Sequence, residues 1–278
     1  MANIGDRATL KVVRENQHGA YLDAGALGEV LLPGREVPPG TEPGTAIDVF
    51  LYTDSEDRPV ATTARPKTMP GDFAKLRCVD VNQAGAFLDW GLSKDLFVPF
   101  REQKTRMEAG KSYLVHVHVD PASSRIIAST RITRWIDQMK SGFRGGEKVE
   151  LIIFAKTELG YKAIVNQTFS GLLYHSQVFQ PLQTGERLNG YISEVRPDGK
   201  LDLTLQPPGR DRVENLEETI LAELRARGGS WAIGDFFPAA EIHDELGVSK
   251  RTFKQSIGAL LKKKQITITD RGIKLADS

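Results

Sequence analysis

One five-residue pattern occurs twice in this chain and constrains its fold more than any other feature. Residues 19–23 read GAYLD and residues 85–89 read GAFLD. The similarity extends outward from both, so that 5–37 can be aligned with 71–103, and a more divergent third copy covers 146–205. Repetition on this scale indicates that most of the chain consists of three units of one fold.

Each unit has the pattern of about five short β-strands. Apolar residues alternate with polar ones, which is typical of half-buried strands, and glycine, proline and Asp198-Gly199 mark the turns. Five short strands in a unit of this length predict a small closed barrel of the oligonucleotide-binding type, because closure removes exposed strand edges. We expect barrels at 1–66, 67–134 and 145–206, and a linker helix at 135–144.

The repeated pattern also nominates two aromatic side chains. In residues 19–23, Ala20 and Leu22 share one face of the strand, and Tyr21 shares the other face with Asp23. Because Asp23 belongs in solvent, we expect Tyr21 to point outward, and Phe87 likewise in the second copy. An exposed aromatic residue on a barrel strand can stack on a nucleobase, which contributes roughly 1–3 kcal/mol per base. Packing against a loop or the next domain is an equally open alternative.

The region 207–278 differs in character and predicts a winged helix-turn-helix domain. Its pattern gives a helix at 212–227, a short helix at 239–246, a second helix at 250–264 capped by Ser249, and a hairpin of 266–269 and 272–275. In such modules the second helix usually reads the nucleic acid. Its candidate contacts are Lys250, Arg251 and Lys254 at one end and Lys262, Lys263 and Lys264 at the other. Lysines at a helix C-terminus also complement the helix dipole, so plain solvation remains open.

The distribution of charge favours some of these units over others as partners of a polyanion. Residues 1–66 carry 10 Asp/Glu against 6 Lys/Arg, whereas 67–134 carry 7 against 11. The stretch 249–274 carries 8 basic residues against Asp270 alone. We therefore expect the second barrel and the C-terminal region to attract nucleic acid more strongly than the acidic first barrel.

The Gly-Ala-aromatic-Leu-Asp pattern, followed by a glycine and a Leu/Val run, resembles the ribosomal S1-type RNA-binding domain. The resemblance implies several kinds of RNA-facing position, and three of them supply candidates here. The aromatic after Gly-Ala corresponds to Tyr21, Phe87 and Lys162. The histidine of the next strand corresponds to Leu31, Val98 and Tyr174. A one-residue shift in the alignment of the third unit would place His175 at this position instead of Tyr174. The basic residue after the fourth strand corresponds to Arg58, Arg125 and Lys200. From these we nominate Tyr21, Phe87, Arg125, Lys162, Tyr174, His175 and Lys200.

Three such units followed by a winged helix resemble the conserved virulence factor B family of bacteria. The strongest local match is EIHDELGVSKRTFKQSIGALLKKKQI at 241–266. The resemblance implies a cytoplasmic, non-enzymatic protein that binds single-stranded RNA and acts in post-transcriptional regulation of gene expression, including virulence genes in some pathogens.

Other classes of chemistry have little support in the sequence. The single cysteine, Cys78, cannot form an internal disulfide, and the sequence contains no phosphate-binding loop or nucleophile elbow. We also expect no signal peptide and no membrane span. His116 and His118 share a strand face but lack a third ligand, so we expect a surface pair and no metal or other cofactor. Two alternatives remain open. One is a DNA-binding regulator acting through the winged helix, and the other is a protein-interaction scaffold on the ribosome or RNA polymerase.

Overall fold

The computed structural model describes residues 2–178, 180–207, 209–246 and 248–276. Three closed five-stranded barrels follow one another along the chain, as the repeat predicted. In every barrel the strand order is first, second, third, fifth, fourth, and the third and fifth strands pair in parallel to close the sheet. Within the described ranges, no helix has the length and apolar character needed to cross a membrane.

The strands have similar lengths in the three barrels. Barrel 1 consists of β1 (Arg7–Asn16), β2 (Gly19–Asp23), β3 (Glu29–Pro33), β4 (Ala46–Thr53) and β5 (Pro59–Thr62). Barrel 2 consists of β6 (Phe73–Val81), β7 (Gly85–Asp89), β8 (Leu96–Pro99), β9 (Ser112–Val119) and β10 (Ile126–Ser129). Barrel 3 consists of β11 (Lys148–Lys156), β12 (Gly160–Val165), β13 (Phe169–Tyr174), β14 (Arg187–Val195) and β15 (Leu201–Thr204).

The glycine that opens each second strand is required by the close approach of the third strand. A Cβ atom on Gly85 would lie 2.3 Å from the carbonyl oxygen of Val98, and Gly19 and Gly160 stand equally close to the third strands of their own barrels. No side chain fits at such a distance, so only glycine allows these two strands to pair. The repeated pentapeptide is therefore in part a constraint of barrel geometry.

Barrels 1 and 2 share an apolar interface. Phe50, Tyr52 and Val60 of barrel 1 are buried in the same cluster as the core of barrel 2. The ring of Phe50 meets Trp90 edge-on, with centroids 5.8 Å apart. Because these contacts exclude water over several side chains, they hold the end of barrel 1 against barrel 2.

A tryptophan packs at the junction of barrels 2 and 3. Trp135 stacks on His116 and packs at a tilt against His118, with ring centroids 4.3 and 4.1 Å away. The next residue, Ile136, packs with Phe73 in an apolar cluster between the two barrels. Both histidines are buried, so the expected surface pair is wrong. The sequence could not reveal this burial, because Trp135, which covers both histidines, lies outside the strand that carries them.

The predicted linker helix at 135–144 is also wrong. One turn of 3-10 helix covers Ile132–Arg134, and the residues after it form bends and irregular backbone. A helix would direct adjacent side chains about 100° apart, whereas Trp135 and Ile136 both enter the junction between the barrels. Packing of these two neighbours in the junction outweighs the helical tendency of the segment.

The C-terminal region forms the predicted winged helix. It contains α1 (Gly209–Ala226), β16 (Ser230–Trp231), α2 (Ala239–Leu246), α3 (Lys250–Lys262), β17 (Ile266–Thr269) and β18 (Gly272–Leu275). Ser249 caps α3, since its hydroxyl accepts a hydrogen bond from the Thr252 N–H at 3.2 Å. The two-residue strand β16, which was too short to predict, adds a third strand to the hairpin. Pro208, Gly247, Asp277 and Ser278 of the predicted region lie outside the described residues.

Candidate nucleic-acid interface

The second, third and fifth strands of each barrel form one outward surface, which we call the barrel face. Tyr21, Phe87 and Lys162 occupy equivalent positions on the three faces, because each pairs with the matching residue of its third strand. Their partners are Leu31, Phe97 and Leu172. The alternation that placed Tyr21 and Phe87 outward is confirmed, since both are half-buried between fully buried neighbours.

This register corrects two predicted equivalences, because the residues that correspond to Leu31 are Phe97 in barrel 2 and Leu172 in barrel 3, not Val98 and Tyr174. Val98 is fully buried in the core of barrel 2. The period-2 rule contained the necessary signal, because Leu96 and Val98 both point inward and so place Phe97 outward. Phe97 is therefore a residue of the barrel 2 face that the sequence reading missed.

The face of barrel 1 is largely occupied by its own side chains. The guanidinium of Arg14 lies 3.7 Å from the centroid of the Tyr21 ring and pairs with Glu29 at 2.9 Å. The side-chain amide of Asn16 lies 3.4 Å from the Tyr21 hydroxyl. Arg14 therefore already covers the aromatic surface that a nucleobase would use, in the most acidic of the three barrels.

The face of barrel 2 offers an aromatic platform beside a cation. The rings of Phe87 and Phe97 lie 5.3 Å apart, and both border a cavity of about 350 Å³. Arg125 and Lys94 also line this cavity, together with Asp57 of barrel 1. An aromatic pair flanked by two basic side chains matches what a single-stranded nucleic acid requires for stacking and phosphate contact.

The two cations of this face are already in contact with barrel 1. Arg125 forms an ion pair with Asp57, whose other carboxylate oxygen lies 3.9 Å from the Lys94 ammonium. Lys94 also donates a hydrogen bond to the Asp54 carbonyl at 2.5 Å. Burial lowers the pKa of Lys94, and the nearby Asp57 opposes that shift.

The face of barrel 3 contains the larger cavity, of about 780 Å³. Its walls include Phe154 and Leu172 of the barrel and Ile136 of the linker, and Lys162 stands exposed at its edge. Lys200 also borders the cavity and pairs with Asp198 at 2.7 Å. This face therefore combines apolar surface with basic side chains but has no exposed aromatic residue at the position of Phe87.

Tyr174 and His175, the two candidate residues at the end of β13, do not line this cavity. Tyr174 is the last residue of the strand, opposite Gly160, and its hydroxyl accepts a hydrogen bond from Arg196. Arg196 is a cavity residue that also pairs with Asp202 at 2.8 Å. His175 begins a 3-10 helix, with its Nε2 atom 3.1 Å from the Thr157 carbonyl.

The six basic residues of α3 and its C-terminus differ in their surroundings. Three hold the winged helix together: Lys250 donates to the Phe237 carbonyl at 2.9 Å, Lys254 pairs with Asp235 at 2.7 Å, and Lys263 pairs with Glu217 at 2.6 Å. Arg251, Lys262 and Lys264 are exposed to solvent. These last three are the cations of α3 that can meet a phosphate without breaking one of those contacts.

Comparisons with known proteins match both ends of the chain to domain families. Residues 4–64 match the model of the S1 domain, and residues 218–275 match the CvfB-like winged helix domain. The Bacillus subtilis protein named "Uncharacterized protein YitL" is 26% identical over 93% of this chain and 89% of its own length. "Conserved virulence factor B" of Staphylococcus epidermidis is 23% identical over 92% of each chain.

A crystal structure from Streptococcus pneumoniae, described as a multidomain protein with nucleic acid binding domains, is 21% identical. It covers 98% of both chains with a TM-score of 0.43.

The chain is thus a tandem-barrel protein with a winged helix, and both folds are ones that nucleic-acid-binding proteins commonly use. Its resemblance to the conserved virulence factor B family, first seen in the order of the units, is confirmed.

Proposed function

We propose that this protein binds single-stranded RNA through the faces of barrels 2 and 3 and acts in post-transcriptional regulation of gene expression. The observation that carries the proposal is the half-exposed pair Phe87 and Phe97 beside Arg125. Unstacked bases of a single strand can lie on such rings, whereas the bases of a duplex are already stacked on each other.

Barrel 3 adds charge and apolar surface to this platform. Lys162 and Lys200 border its cavity and are positioned to meet the phosphates of a strand whose bases contact Leu172 and Phe154. Each face alone is a modest site. Since the barrels are joined in one chain, binding at one face raises the effective concentration of the strand at the next.

The winged helix supplies further phosphate contacts in this proposal. Arg251, Lys262 and Lys264 are exposed, whereas Lys250 and Lys254, at the end of α3 that usually enters the major groove, are engaged with Phe237 and Asp235. This division favours nonspecific backbone contact over reading of duplex DNA by α3.

Fluorescence anisotropy of labelled oligonucleotides tests the proposal. We expect the full chain to bind a single-stranded RNA of about 30 nucleotides, long enough for more than one barrel, more tightly than duplex DNA of the same sequence. Because phosphates are neutralised on binding, affinity should fall steeply between about 50 and 200 mM salt. The affinity for single-stranded DNA of the same sequence shows whether the ribose 2′-hydroxyl contributes to binding. Tighter binding to the duplex would support the winged-helix regulator instead, and binding to neither nucleic acid would support the scaffold.

A further inference from the structure

The turn between β4 and β5 of barrel 1 reaches the face of barrel 2. Residues 54–58 read DSEDR and form what we call the acidic loop. We propose that Asp57 of this loop occupies the place of a nucleic-acid phosphate on the barrel 2 face, so that RNA must displace the loop before that face can bind. The inference rests on the proposed function and concerns how the same site is regulated.

The contacts of Asp57 are those that a phosphate would make. One carboxylate oxygen pairs with the Arg125 guanidinium, and the other lies 3.9 Å from the Lys94 ammonium. Arginine recognises carboxylate and phosphate oxygens with the same planar set of donors, so either anion can fill this position. Phe87 and Phe97 line the same cavity, where the base attached to such a phosphate would stack.

The base of the acidic loop is fixed, which holds the tip in this position. Phe50 and Tyr52 of β4 are buried against barrel 2, and the Tyr52 hydroxyl lies 3.3 Å from the Ser93 hydroxyl. The Asp54 carboxylate accepts hydrogen bonds from the N–H groups of Glu56 and Arg58 at 2.9 and 3.0 Å, which shapes the turn. The tip is therefore presented to barrel 2 by a packed interface and an ordered turn.

The ion pair at the tip is nevertheless easy to displace. The side chains of Asp57 and Arg125 are 39% and 44% exposed, and ion pairs with this much solvent contact are weak and screened by salt. An RNA strand would replace the carboxylate with a phosphate and add stacking on Phe87 and Phe97, which the loop does not provide. The apolar interface around Phe50 would remain intact, so only the tip needs to move.

Two variants of the acidic loop separate this role from a general effect of charge. Asp57→Asn removes the negative charge that pairs with Arg125. Asparagine also tolerates the left-handed backbone conformation of this position, where φ is 63°. Glu56→Gln removes the same charge from the same loop, but Glu56 pairs with Arg58 and not with barrel 2. In anisotropy titrations of the full chain with labelled oligouridylate, we expect Asp57→Asn to tighten binding about three- to tenfold and Glu56→Gln to change it less than about twofold.

Adding Phe87→Ala to Asp57→Asn shows where the RNA binds more tightly. The gain in RNA affinity should disappear in this double variant if it arises on the barrel 2 face. The proposal is overturned if wild type binds RNA and Asp57→Asn binds no tighter, if Glu56→Gln gives an equal gain, or if the gain survives Phe87→Ala. In each of these cases the proposed function stands. If no form of the protein binds RNA, the proposed function and the inference are both wrong.

Discussion

Gly85→Ala is expected to lower the free energy of unfolding by at least about 3 kcal/mol, the upper end of ordinary overpacking costs. The added methyl group would lie 2.3 Å from the Val98 carbonyl oxygen and 3.0 Å from the Pro99 Cα. Both neighbours are backbone atoms of the paired third strand, so no side-chain rotation relieves the clash. Strands β7 and β8 would have to separate, and with them the face that carries Phe87.

Urea denaturation followed by circular dichroism measures this effect. Gly142→Ala is the matched control, because a Cβ at Gly142 meets no atom within 4 Å. An unchanged urea midpoint for Gly85→Ala would show that the strand pairing tolerates a side chain, and the explanation of the repeated glycine would then fail.

Acidification from pH 7 to pH 5 is expected to weaken the junction of barrels 2 and 3 by about 2 kcal/mol. Burial, together with the neighbouring His118, lowers the pKa of His116 from its usual 6.5 to about 4. Burial also lowers the pKa of His118. Between pH 6.5 and 4 the unfolded chain therefore binds protons that the folded chain does not. Stability is complete above pH 6.5 and is lost as the pH falls toward 4.

His116→Phe tests the source of this pH dependence, because it keeps an aromatic ring against Trp135 and removes the titrating group. Urea denaturation at pH 7 and pH 5 should show a much smaller difference for this variant than for wild type. His175→Phe is the control, since His175 is exposed and should leave the difference unchanged. An equal loss of stability at pH 5 in His116→Phe and wild type would assign the effect to other groups.

The barrels and the winged helix could be predicted because their signals are local. Alternation along 85–89 gave the strand and its outward residue, and the cap at Ser249 gave the start of α3. The same rule, applied to 96–99, would also have identified Phe97. In these segments backbone propensity, polarity and turn residues all agree with the final fold.

The contacts between units could not be predicted in the same way. Asp57 and Arg125 are 68 residues apart, and nothing near either residue indicates that the other is its partner. The burial of His116 likewise depends on Trp135, which belongs to a segment that was expected to be helical. Such contacts arise when whole barrels pack, and a single sequence carries little information about that step.

The measurement that tests the central claim most directly is RNA binding by the double variant Phe87→Ala, Lys162→Ala. If the faces of barrels 2 and 3 form the interface, anisotropy at about 50 mM salt should show at least a tenfold loss of affinity for single-stranded RNA, since a stacking site and a phosphate contact are both removed. Val79→Ala, Lys148→Ala is the control, because it removes an exposed apolar and an exposed basic side chain from the first strands of the same two barrels. We expect that control to bind almost as wild type does. Wild-type affinity in the Phe87→Ala, Lys162→Ala variant would contradict the account and place the interface elsewhere.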